Sequence, residues 1–215
     1  MTRNKEQNNR IKEERRLRIL NGALKLFARR GLEATRIADI AHETNMSLGL
    51  IYHYYHDKEA LYGELIASAF EKLISACHFL EAMDKPVREK IPLAINGLLK
   101  VLTEQEDAAL NHLLIAQASA SDATPQEVKQ CIAHCYPEPY RIMADIMRQG
   151  QAEGSVRDYP PEALAMLFWT TLNGIAIYKA SHGAHTPSPD GALIASMFLK
   201  PDATVSSAKQ KKRPA

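Results

Sequence analysis

Residues 35–58 read TRIADIAHETNMSLGLIYHYYHDK, and this stretch decides the fold. The spacing predicts two very short helices joined by a tight turn, with a third opening as the stretch ends. Ile37, Ile40 and Ala41 fall at the i, i+3, i+4 steps of one buried face, which predicts a helix from Arg36 to about Thr44 with Thr35 as its N-cap. Asn45-Met46 is the turn, Ser47 caps a second helix from Leu48 to about Tyr54, and Asp57 caps the third. Glu59 then suits the positive end of that third helix. Helices this short do not hold alone, because nucleation costs more than a few hydrogen bonds return. A helix-turn-helix gives them a reason to persist, since its second helix is held out toward a DNA major groove.

The surface of the second helix fits that purpose. Ile51 and Tyr55 point inward, leaving Leu48, Gly49, Tyr52 and His53 on the outside. Glycine costs about 1 kcal/mol in a helix relative to alanine, so Gly49 implies close approach to something large. Tyr52, His53 and Tyr54 carry hydroxyl and imidazole groups that suit phosphates and base edges. Lys58 adds a cation where free backbone N–H groups already favour an anion.

The run Ser47-Leu48-Gly49-Leu50-Ile51-Tyr52-His53-Tyr54-Tyr55-His56-Asp57-Lys58-Glu59-Ala60-Leu61 closely resembles the S-x-G-x-[LI]-Y-x-[HY]-[FY]-x-x-K-[ED]-x-L signature of TetR/AcrR-family transcriptional regulators. The resemblance extends back through Gly31 and residues 34–41 and covers roughly residues 13–65 without a gap. Tyr55 stands where Phe is more frequent, and Tyr54 where His is. The resemblance implies an all-α protein: a three-helix DNA-binding head joined to a larger helical bundle that binds ligand and dimerises.

Net charge is +2, but its distribution is uneven: residues 1–58 carry +5, residues 59–199 carry −7 and residues 200–215 carry +4. A basic end on an acidic body is the layout of a separate nucleic-acid-contacting module. The 46% apolar and 24% charged composition is that of a globular chain. No apolar run approaches a membrane span, no apolar leader opens the chain, and three cysteines make no disulfide framework. A cytoplasmic protein is expected.

Taken in order, residues 1–11 read as a disordered polar arm and residues 12–30 as an amphipathic helix with Leu17, Leu20, Leu24 and Phe27 inward and Gly31 ending it. Arg15, Arg16 and Arg18 read as solvated charge, with one or two in reach of phosphates. Residues 12–58 form the head and 59–199 the ligand-binding and dimerisation domain. A long helix from Asp57 to about Ala82, with Leu61, Leu65, Ala69, Leu73 and Ala76 on one face, ties the two together. Further helices are expected over 87–103 and 106–120, then from Thr124 as N-cap with a break at Pro137 and Pro139, over 140–153, over 161–182, and from Ser188-Pro189 through Leu199. Residues 200–215 read as a disordered basic tail. No stretch shows strand alternation, so the fold class is all-α.

The helix after Pro161 is apolar nearly all round and must be covered on more than one side. The resemblance implies that the last two long helices form a four-helix dimer interface, which assigns Leu167, Thr171, Gly174, Tyr178, Leu193 and Met197 to a homodimer contact. Such a dimer would set its recognition helices about 34–36 Å apart on a palindromic site.

Cys131, His134 and Cys135 share one side of an expected helix, but a structural zinc needs a fourth ligand that nothing selects, so no metal is assigned. No nucleophile elbow, phosphate-cradling loop or paired-carboxylate motif is present, so neither catalysis nor a cofactor is expected. The resemblance does imply a sensor pocket in the body. His112, Gln117, Tyr140, Met143, Met147 and Trp169 are its candidate lining, and the scarcity of charge on those faces points to an apolar or neutral small molecule. The DNA-contacting set is Thr35, Arg36, Ser47, Leu48, Gly49, Tyr52, His53, Tyr54 and Lys58, with Thr35, Ser47 and Lys58 on phosphates. The expected function is a dimeric transcriptional regulator, a repressor released from a palindromic operator by a small molecule. An activator, a ligand-independent regulator or a helical protein-interaction module is the alternative.

Overall fold

The computed structural model describes residues 2–183 and 185–201. Among the described residues ten α-helices follow one another: α1 (Thr2–Arg30), α2 (Ile37–Thr44), α3 (Leu48–Tyr54), α4 (Lys58–Ala82), α5 (Val87–Glu104), α6 (Glu106–Ala120), α7 (Gln126–Cys135), α8 (Pro137–Ala152), α9 (Pro161–His182) and α10 (Gly191–Ala195). The one departure among the described residues is an isolated antiparallel bridge between Val156 and Leu199.

The helix-turn-helix forms as its sequence dictates. Ser47 Oγ accepts from the Leu50 N–H at 3.2 Å, and Asp57 Oδ1 accepts from the Ala60 N–H at 2.7 Å, so both caps are made by the residues expected. Asn45 takes the left-handed conformation, φ 52°, which lets the turn follow α2 at once. Gly31, at φ 80°, ends α1 with its N–H on the Phe27 carbonyl. Thr35 is not the cap of α2. The cap is Arg36, whose backbone N–H is held by Asp39 Oδ2 at 3.0 Å, and Thr35 instead lies fully buried with its hydroxyl donated to the Gly31 carbonyl at 2.7 Å.

Several boundaries differ from expectation. α1 starts at Thr2, so the arm read as disordered is helical from there on, and Leu17 is exposed while Ile19 and Ala23 join Leu20, Leu24 and Phe27 in the core. Along α4 Leu61 and Leu65 are buried as expected, together with Tyr62, Ile66, Phe70, Cys77 and Leu80, whereas Ala69 and Leu73 are half-buried and Ala76 faces solvent. A four-residue step drifts about 40° per repeat on a 3.6-residue helix, which carries the expected stripe off the core beyond Leu65. Thr124 does not cap α7: it is buried and gives its hydroxyl to the Ala118 carbonyl. α7 and α8 are separated by Tyr136 alone, and Pro137 and Pro139 sit in the first turn of α8, where their missing N–H groups cost nothing.

The expected helix through Leu199 is only five residues long. Backbone pairing draws the chain away instead, with the Arg157 N–H on the Phe198 carbonyl and the Lys200 N–H on the Ser155 carbonyl. The last two long helices are therefore α8 and α9. The basic tail lies, from residue 202 on, outside the described residues.

Among the described residues two large cores and a small cluster of Leu102, Ala109 and Ala176 organise the molecule. One joins α1–α3 and the start of α4 to Leu110, Leu114 and Ala118 of α6 and Val128 and Ile132 of α7. The other packs the end of α4, α5, α8, α9 and Phe198. The head and the body thus share one continuous apolar cluster, so a movement of α6 or α7 is felt by α1 and α4.

Candidate nucleic-acid interface

The outer face of α3 is bare. Ile51 is fully buried and Tyr55 nearly so, and they fasten the helix to the head. Ser47, Leu48, Gly49, Tyr52 and His53 are exposed, Tyr52 to 52%. A Cβ built on Gly49 meets nothing within 4 Å. No internal packing therefore requires glycine at this position. Tyr54 is half-buried against the head core, and its ring meets that of His53 edge-on at 5.5 Å. Arg36, the cap of α2, is exposed as well.

Two of the residues expected on phosphates are used otherwise. Thr35 is buried, with its hydroxyl spent on Gly31, so it offers no side-chain contact to DNA. Lys58 Nζ donates to three carbonyls, Leu32 at 2.8 Å, Glu33 at 3.2 Å and Thr35 at 3.2 Å. All three ammonium donors are thereby occupied, and the Asp57 carboxylate already fills the adjacent helix N-terminus. In this arrangement Lys58 clamps the α1–α2 loop, a role that the sequence reading of a phosphate contact did not include.

A network that the sequence gave no reason to expect fixes the far end of α3. Tyr55 Oη donates to Glu64 Oε1 at 3.1 Å, and Glu64 is also paired with Arg16, which reaches Glu13 at 2.8 Å. Burial first, then the Glu64 carboxylate, pushes the Tyr55 phenol well above its ordinary range, keeping it a neutral donor. The one available signal was the hydroxyl at a position where Phe is more frequent. Arg16 and Glu64 are too far apart in sequence to advertise their pairing.

The residues expected to line a ligand pocket fall into two groups. Tyr140, Met143, Met147 and Trp169 pack in the second core, with Trp169 Nε1 donating to the Pro139 carbonyl at 3.0 Å and Tyr140 stacked on Tyr136 at 5.0 Å. His112 and Gln117 lie on α6. His112 Nδ1 is 2.9 Å from Asn173 Oδ1, and burial pushes the imidazole below its ordinary value. Gln117 Nε2 donates to the Ala28 carbonyl at 3.1 Å, bridging body to head. Of the six, Gln117 alone lines the two clefts at that junction, of about 560 and 480 Å³. The six do not converge on either cleft, because Gln117 faces α1, His112 faces Asn173 of α9, and the other four lie in the second core on α8 and α9.

His134 is exposed while Cys131 and Cys135 are half-buried, so the three do not meet at one point. Among the described residues no three metal-ligating side chains are placed to hold an ion. Burial and the neighbouring Cys131 both raise the Cys135 thiol. No helix of the described residues is long and apolar enough to cross a membrane.

Comparison with known proteins agrees with this geometry. Residues 19–65 match the model of bacterial regulatory proteins of the tetR family. The HTH-type transcriptional repressor KstR2 of Rhodococcus jostii is 25% identical over 166 residues, covering 77% of this chain and 79% of that protein. The fold is that of the MbdR regulator from Azoarcus sp. CIB, with a TM-score of 0.71, 22% identity and coverage of 84% and 94% of the two chains. A regulator from Saccharomonospora viridis solved with choline superposes with a TM-score of 0.64 at 22% identity, covering 88% of this chain and 100% of that one. Family regulators of this kind act by binding DNA and are not enzymes. With its helix-turn-helix inside the matched region and an all-helical body behind it, this chain is a DNA-binding transcriptional regulator of the tetR family.

Proposed function

We propose that the chain is a cytoplasmic homodimeric repressor that reads a palindromic operator with two copies of α3 and leaves it when a small molecule binds the body. The observation that carries the DNA reading is the outer face of α3: Leu48, Gly49, Tyr52 and His53 are exposed, and beyond the helix's own backbone and its chain neighbours nothing comes within 4 Å of a Cβ at Gly49. Leu48 and Gly49 allow the duplex close, Tyr52 and His53 offer hydrogen bonds to it, Ser47 and Tyr54 flank the groove, and Arg36 supplies charge from α2.

Dimerisation is supported by α9. Ala163, Met166, Leu167, Thr170, Gly174 and Tyr178 leave a stripe uncovered along the whole helix, and Met166 is 61% exposed. A Cβ on Gly174 would meet nothing within 4 Å, so a second helix can approach closely there. Thr171 borders the stripe. Leu193 and Met197 are exposed too, but on the short α10 segment rather than on a second long helix, so the proposed interface rests on α9 with the charged face of α8 at its rim. Two-fold symmetry makes such a patch self-complementary.

Release by ligand is supported by the shared core and by Gln117, which joins α6 to the Ala28 carbonyl of α1. KstR2 is named a repressor, and one fold neighbour was solved with choline, which favours repression and a small organic effector. The effector acts only if it binds the DNA-incompetent arrangement more tightly than the competent one. Sedimentation of wild type and Gly174→Glu tests the dimer. A two-fold mass for wild type and a single-chain mass for the variant are expected, and a variant that stays dimeric removes α9 from the interface.

A further inference from the structure

α1 is longer than the head requires. Its C-terminal turns pack on the body through Ala28 and Gln117, whereas its N-terminal half continues beyond the buried segment. The first buried residue is Ile19, and the 17 helical residues before it span roughly 25 Å. Residues 6–15, 17 and 18 are all exposed. Apart from the exposed Ile11 and Leu17 the segment is polar, none of its described side chains before Ile19 is buried, and Arg16 on Glu64 ties it to the rest of the head. A partner would supply the tertiary contacts that normally hold such a helix.

At about 100° per residue, Arg15 and Arg18 lie on the same side as Gly22, seven and four residues before it, with Ile11 between them and Glu14 at the edge, whereas Glu6 and Glu13 lie on the other side. Gly22 is the contact with the turn of the head: a Cβ there would run into Thr44 Cγ2, at the end of α2. Ser47, the cap of α3, follows Thr44 by three residues. The stripe holding Arg15 and Arg18 therefore leads to the N-terminal end of α3. Arg16, on the side of α4, is engaged by Glu64 and Glu13, but neither Arg15 nor Arg18 has an ion pair or side-chain hydrogen bond among the described residues.

We infer that Arg15 and Arg18 grip DNA phosphates beside the groove that α3 enters, and that the projecting N-terminal half of α1 lies along the duplex and lengthens the footprint. This rests on the reading of α3 as the recognition helix. Charge complementarity and continuity with the exposed face of α3 select the duplex as the occupant. Guanidinium groups on phosphates release condensed counterions, so their contribution is read in the salt dependence rather than in the sequence preferred.

The experiment is a fluorescence anisotropy titration of the full chain on its selected duplex across a series of KCl concentrations, for wild type, Arg15→Gln/Arg18→Gln, Arg16→Gln and Tyr52→Ala. Gln keeps helix propensity, and circular dichroism checks that the double variant retains wild-type helix content. With two phosphates per protomer, the double variant lowers the slope of log affinity against log salt by about 3 to 4 units for a dimer and weakens binding by tenfold or more at moderate salt, with the same preferred sequence. Arg16→Gln, whose partner is Glu64, leaves the slope unchanged. A wild-type slope in the double variant, or a changed sequence preference, overturns the inference while α3 keeps its role. Failure of wild type to bind any duplex overturns the reading of α3 and the inference with it.

Discussion

The Lys58 ammonium donates to the Leu32 carbonyl at 2.8 Å, linking the first residue of α4 to the loop that leaves α1, 26 residues earlier. The same nitrogen reaches Glu33 and Thr35, so one side chain sets the angle between the support helix and the helix-turn-helix. Charged hydrogen bonds of this kind are worth about 1.5–3 kcal/mol, and losing the cation leaves three carbonyls to find other donors. Lys58→Met is expected to lower stability by about 2 kcal/mol in urea unfolding. The salt slope of the remaining DNA binding should match wild type. A flattened slope with unchanged stability would return Lys58 to the phosphates.

Gly49 separates stability from function. Its place in α3 costs about 1 kcal/mol relative to alanine, and the structure has room for the methyl group. Gly49→Ala should therefore raise the melting temperature while weakening operator binding by about 1–3 kcal/mol, the usual effect of disturbing a base-edge contact. Unfolding scans and anisotropy on the same preparation check both halves. A variant that is more stable and binds as well as wild type would show that the duplex does not approach this face.

His112 gives the fold an acid-side weakness. Burial, opposed by the hydrogen bond to Asn173, pushes its folded value below the ordinary 6.5, so between the two values the unfolded chain binds more protons than the native one. Its stability contribution is complete above pH 6.5 and is lost as pH falls below it through the depressed value. His112→Gln should keep the amide-type contact with Asn173 and flatten the pH dependence below 6.5. Urea midpoints of both proteins over this range provide the comparison, and parallel curves would contradict the assignment.

Gln117 adds a polar link between body and head to the shared apolar core. Gln117→Leu removes the hydrogen bond to Ala28 but keeps most of the volume, and the Gln117 Oε1 has no partner to lose. DNA affinity is expected to change by less than about 1 kcal/mol while the response to an effector falls, because the link between α6 and α1 is weakened. Full effector response in the variant would move the coupling to the shared apolar core.

Local chemistry was legible in the sequence where the partners lie within one helical turn. Ser47 and Asp57 cap the residues three ahead of them, and Gly31 ends α1, as the spacing required. Thr35 misled because two successive residues could precede α2, and the choice was made by Asp39 reaching back to the Arg36 N–H. What was not legible is nonlocal. Nothing near Lys58 announces carbonyls 23 to 26 residues away, and nothing near Leu199 announces that Arg157 will draw Phe198 into a backbone pair. The pocket residues shared a polarity pattern, but whether a polar atom faces a cavity or a neighbouring helix depends on packing, as Trp169 and Pro139 show.

The central claim, that the exposed face of α3 reads DNA, is tested most directly by selecting bound duplexes from random sequence with purified wild type and repeating the binding with Tyr52→Ala. Enrichment of a palindrome that wild type holds and the variant loses is the predicted result. Failure to enrich any sequence at low salt, or a variant that binds the palindrome as tightly as wild type, would contradict it.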